Sequence, residues 1–105
     1  QQAPGMLPSH YAPVKTLRLR AVNEPWPTEL AVGVLAFTGG DVPSALRWVE
    51  VLSRRGDLAE AAAGLFAALR RLDASSATSL VAELVPDHGL GLGINDRLRR
   101  AAGLG

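Results

Sequence analysis

At 105 residues, 48% hydrophobic and 20% charged, with mean hydropathy +0.14, the chain has the size and composition of one globular domain, not a disordered segment. Eleven Lys and Arg against ten Asp and Glu leave a formal charge of +1, balanced in both halves, which argues against a nucleic-acid backbone as direct partner. The absence of cysteine excludes a disulfide scaffold and a Cys-based zinc site, and it fits a reducing compartment such as the cytoplasm.

Residues 1–15 form the first unit. Pro4, Gly5, Pro8 and Pro13 punctuate them without any apolar period, so a semi-rigid extended arm is expected ahead of an α/β domain over residues 16–105. The opening Gln1-Gln2-Ala3-Pro4-Gly5 lacks an initiator Met and reads as the interior of a longer chain. No signal-peptide pattern is visible, and the longest apolar run, Leu30 to Phe37, is far short of the ~20 residues a membrane span needs.

Thr16 to Val22 alternates Leu17, Leu19 and Ala21 against Arg18 and Arg20, the period of a half-exposed strand. Two prolines in Asn23–Pro27 end it. Leu30 to Phe37 is the pattern of a strand buried on both faces, and Trp48 to Leu52 supplies a third. About eight residues separate the first two strands, too few for a helical crossover, so either a cramped connection or an antiparallel pair is expected there.

The clearest helix runs from Asp57 to about Asp73. Asp57 and Glu60 make a capping-box signature, and Leu58, Ala62, Leu65, Leu69 and Leu72 follow at helical spacing. Gly64 within it points to a close approach of helix and sheet. Thr78 to Val85 is a fourth strand. The Gly89, Gly91 and Gly93 turn then leads into a short helix with Ile94, Leu98 and Ala101 on its apolar face. Strand, helix, strand, helix implies a parallel second half in an α/β fold of about four strands, in two or three layers.

Chemistry-bearing patterns are sparse. His10 and His88 lie far apart in sequence and have no ligand spacing, so no metal site is expected. No nucleophile elbow occurs, and no catalytic residue is assigned. Gly89, Gly91 and Gly93 follow a strand and precede a helix, where backbone amides can cradle a phosphate. Their spacing is G-x-G-x-G, and the turn follows the last strand. A tight packing turn is the plainer reading, with a stand-alone nucleotide-binding regulatory module as the alternative. Asn95 and Asp96 suit the first turn of the last helix, and Arg97 suits either an acidic neighbour or an interdomain surface.

The arm Ala3-Pro4-Gly5-Met6-Leu7-Pro8-Ser9-His10-Tyr11-Ala12-Pro13 resembles the interdomain linker of two-domain L-threonylcarbamoyladenylate synthases. Leu65 to Asp73, Gly89-Leu90-Gly91, Ile94 to Leu98 and Arg100 to Ala102 extend the likeness to that family's C-terminal domain. The resemblance implies a Rossmann-like accessory domain without chemistry or cofactor of its own. In such a parent, a YrdC-like N-terminal domain joins L-threonine, bicarbonate and ATP, with Mg, into threonylcarbamoyladenylate and pyrophosphate. The product serves the modification of tRNA adenosine 37, so tRNA is only an indirect partner and the N-terminal catalytic domain the direct one. The linker would lie over the catalytic cleft as a lid. Pro4, Gly5, Met6, His10, Tyr11 and Pro13 are its contact residues by this resemblance, with His10 and Tyr11 either facing substrate or only anchoring the arm.

Overall fold

The computed structural model describes residues 11–104; Pro4, Gly5, Met6 and His10 lie outside the described residues. Among the described residues, four strands, β1 (Leu17–Arg20), β2 (Val32–Ala36), β3 (Trp48–Val51) and β4 (Ser79–Glu83), alternate late in the chain with two helices, α1 (Leu58–Ala74) and α2 (Leu90–Ala101). All pairings are parallel, in the order β1-β4-β2-β3. The small Rossmann-like α/β fold is therefore parallel in its first half too.

The antiparallel alternative fails because β1 and β2 do not pair with each other; β4 sits between them. Residues 21–31 need only return along a strand of about 13 Å and step across two spacings of about 4.8 Å. Eleven extended residues reach roughly 36 Å, so a loop suffices where a helix would be too short. Residues 37–47 likewise connect β2 to β3 without a helix.

These two loops explain why the domain has only two layers of secondary structure. Period-two alternation sends Leu17, Leu35, Leu80 and Ala82 to one face, where they pack with Leu65, Leu69 and Leu72 of α1 and Ile94 and Leu98 of α2. Val32, Val34, Ala36 and Val81 point to the other face, and Trp26 and Leu46 from the loops cover them. The third layer is irregular chain. β2, buried at every position, has no side left for water.

Helix α1 begins at its expected cap, with a variation. Asp57 Oδ1 accepts from the amides of Ala59 (2.8 Å) and Glu60 (3.3 Å). Glu60 does not reach back to the Asp57 amide, which donates instead to Ser53 Oγ at 2.9 Å, while Ser53 Oγ–H donates to Glu60 at 2.6 Å. A hydroxyl thus closes the box.

The glycines divide differently from the sequence expectation. A Cβ on Gly64 would meet nothing within 4 Å, so no close approach occurs there; Ala61 and Ala68 are the small residues of α1 buried in the core. The Gly89–Gly93 run is not an extended turn, because α2 already starts at Leu90. Gly89 precedes it at φ 54°, and Gly91 presses on strand-end backbone: a Cβ there would lie 1.8 Å from the Pro86 carbonyl oxygen.

Candidate functional site

The root of the N-terminal arm is the first place where predicted site residues meet structure. Tyr11 packs edge-on against Phe66 of α1, ring centroids 5.3 Å apart and planes at 86°. Beyond Pro13, the Val14 amide donates to Asp73 Oδ2 and the Lys15 amide to Asp73 Oδ1, both at 3.0 Å. Lys15 Nζ donates to the Asp73 backbone carbonyl. Burial, then the Asp73 carboxylate, raise the Tyr11 phenol above its usual value, with Arg70 opposing them. Tyr11 thus lies against Phe66 of α1, and the two residues that follow Pro13 are held by Asp73.

A second cluster sits at the carboxyl ends of β1 and β4, and sequence reasoning missed it. Arg20 and Glu83 are register partners, 5% and 6% exposed, and form a buried ion pair. Every arm of the guanidinium is held: Nε donates to the Glu24 carbonyl (2.7 Å), and Nη2 to the Val22 carbonyl (3.3 Å) and Asp41 (3.4 Å). Its Cζ lies 3.9 Å from the Trp26 ring centroid. The other Glu83 oxygen accepts from the Phe37 amide at 2.9 Å. The Leu17–Arg20 alternation had placed Arg20 on an exposed face. The available signal was Glu83 itself, one charge at the end of a strand otherwise apolar from Leu80 onward.

Between these strand ends lies an open cleft of about 580 Å³, lined by Val22, Phe37, Thr38, Leu84, Pro86 and Asp87 among others. Chain departs from β4 toward α2 on the helix face and from β1 and β2 toward loops on the other, the switch point at which α/β sheets hold ligands. Its chemistry does not suit a phosphate. The carboxylates Glu83 and Asp87 line it, and Arg20 is committed to Glu83.

The glycine run adds little to such a site. Gly91 donates its amide to the His88 carbonyl at 2.9 Å, and Leu92 donates to Gly89 at 3.2 Å, so two first-turn amides are turned inward. Asn95, placed by the sequence in the first turn, falls in the second and is 1% exposed. Its Oδ1 accepts from the Val85 amide (2.9 Å) and its Nδ2 donates to the Val85 carbonyl (2.8 Å), as a neighbouring strand would. Asp96 accepts from Arg100 at 2.9 Å and pairs with Arg97 at 3.5 Å, the acidic-neighbour alternative for Arg97. Among the described residues no group of His, Asp and Glu could hold a metal ion, and no helix is long and apolar enough to cross a membrane.

The model of the threonylcarbamoyl-AMP synthase C-terminal domain matches residues 1–103. The chain belongs to this family. It is 34% identical to the threonylcarbamoyl-AMP synthase of Bacillus subtilis (strain 168) over 96% of its own length, and spans 32% of that protein. A crystal structure of P. abyssi Sua5 complexed with L-threonine superposes with a TM-score of 0.67 at 30% identity, covering 97% of this chain and 32% of that one. The chain thus spans about a third of each relative's length, and the family match takes in residues 1–15 as well as the α/β body.

Proposed function

We propose that this chain is the accessory domain of a threonylcarbamoyl-AMP synthase and that its arm, residues 1–15, acts as a lid over an N-terminal catalytic domain. The match over residues 1–103, covering a third of the relatives' length, carries this reading. The reaction assigned to the parent is the joining of L-threonine, bicarbonate and ATP into threonylcarbamoyladenylate with release of pyrophosphate, for tRNA adenosine 37, in the cytoplasm. ATP and Mg bind in the catalytic domain, and tRNA is reached only through the product.

Physical features of the arm favour such a role. Prolines leave little backbone freedom to lose on closure, so a lid of this composition closes at modest entropic cost. His10 supplies a donor or cation for a carboxylate or phosphate. Tyr11 sits at the arm's root with its ring on Phe66, so its packing and its hydroxyl have separable roles.

Steady-state kinetics on the full-length parent test this. His10→Ala should lower kcat/KM for adenylate formation by ten-fold or more, on the order of one lost charged contact. Tyr11→Phe, which keeps the ring, should report the hydroxyl alone. Wild-type kinetics in both variants would reduce the arm to a tether.

A further inference from the structure

The Asp73 carboxylate does nothing for the helix that carries it. Helix α1 ends on Ser75, whose amide and hydroxyl both donate to the Leu72 carbonyl. Both Asp73 oxygens turn outward instead and take two successive amides of the arm. Pro13 has no amide to offer, so the pair begins at the first residue after it. Seven residues upstream on α1, Phe66 holds Tyr11.

The two attachments match in length. Phe66 and Asp73 are about 10.5 Å apart along the helix axis. Tyr11 to Lys15, four residues on, can extend to about 14 Å. The segment therefore runs alongside α1, in the direction of the helix, with little slack. Without these contacts the next fixed point is Thr16, whose carbonyl accepts from Leu80 in the sheet. A free tether of five residues would spread the position of Tyr11 over roughly 12 Å.

We propose that Asp73 and Phe66 form a latch that fixes where the arm leaves the domain, making them positioning residues for the lid. This rests on the lid reading above. The latch itself is a property of this chain and can be tested apart from it. Lys15 closes the latch from the arm's side through its bond to the Asp73 carbonyl, and Arg70 lies 5.5 Å from the Phe66 ring centroid. A lid whose root wanders is competent only part of the time, and apparent substrate affinity falls by that fraction. Loss of the latch should therefore raise KM with kcat largely kept.

Two experiments separate the outcomes. In the 105-residue chain, amide exchange by NMR should show Val14 and Lys15 protected, and Asp73→Asn, which leaves one acceptor oxygen for two amides, should remove that protection from at least one of them while the sheet amides keep theirs. Phe66→Leu should bring the single tyrosine's titration, read by absorbance at 295 nm, down toward the usual phenol value. In the full-length parent, Asp73→Asn should raise KM for L-threonine about ten-fold with kcat within two-fold. Unchanged Val14 and Lys15 exchange in Asp73→Asn would overturn the latch. Lost protection with unchanged KM, in a parent that His10→Ala does impair, would overturn the positioning role and leave the lid standing. Insensitivity to both Asp73→Asn and His10→Ala would overturn lid and positioning together.

Discussion

Replacing Glu83 by alanine removes the one buried carboxylate facing Arg20 and leaves a guanidinium that is 5% exposed. Asp41 remains 3.4 Å away, but it is largely solvated and holds only one edge. Breaking a buried pair in this way costs about 3–5 kcal/mol. The Phe37 amide loses its acceptor as well, which pushes the loss to the upper end. In a domain of this size that lowers Tm by at least about 12 °C. Glu83→Gln keeps an oxygen for Phe37 and removes only the charge, so it should lose roughly half as much. The double change Arg20→Met with Glu83→Leu should return to within about 2 kcal/mol of the wild type, because an apolar pair carries no desolvation penalty. Urea unfolding followed by tryptophan fluorescence reads all three, since Trp26 lies against the guanidinium. The reasoning is refuted if Glu83→Ala stays within 1 kcal/mol of wild type, or if the double variant loses the sum of the two single losses.

The glycines should sort by the space around them. Gly91→Ala should destabilise by about 2–3 kcal/mol through collision with the Pro86 carbonyl, whereas Gly64→Ala and Gly93→Ala, with open space at Cβ, should each stabilise by about 0.5–1 kcal/mol. Thermal melts that rank Gly91 with the other two would contradict the close approach. Asn95→Ala orphans a buried amide and carbonyl of Val85 and should cost about 2–4 kcal/mol by chemical denaturation; a loss under 1 kcal/mol would mean water replaces the side chain. Tyr11 is the only tyrosine, and its phenol is raised in the folded chain. A raised group contributes its full stability below the unfolded value of about 10 and loses it as pH climbs through the folded value. Stability should therefore fall on the alkaline side of pH 10, and Tyr11→Phe should flatten that fall.

How much of this was legible beforehand depended on whether a residue's role was local. The cap at Asp57, the stripe Leu65, Leu69 and Leu72, and the fully apolar β2 are set by neighbours within a turn or a pleat, and each sits where its pattern put it. Sheet order was not local. Nothing between residues 16 and 37 says that β4, some fifty residues on, will insert between β1 and β2, and without that the short 21–31 connection looked too cramped. Arg20 was misplaced for the same reason, since its partner lies 63 residues away. Asn95 was one turn out because α2 starts inside the glycine run, where propensity argues against a helix and packing on Pro86 decides for one.

The carboxyl edge and the arm root impose different kinds of constraint. At the edge, Arg20 and Glu83 lie under Trp26 and bind the 21–24 loop, Asp41 and Phe37 into one network, so the usual ligand-binding side of a parallel sheet is locked by its own side chains. At the root, two backbone amides and one aromatic edge hold the arm on the surface of α1, where exchange with solvent is possible. The first arrangement is costly to break and suits a rigid platform. The second can be released without unfolding the core, because Tyr11, Val14 and Lys15 lie outside both strands and helices. A domain built this way is stiff where a nucleotide fold is usually open, and yields at residues 11–15. That distribution of stability suits the accessory role proposed above better than a nucleotide-binding module.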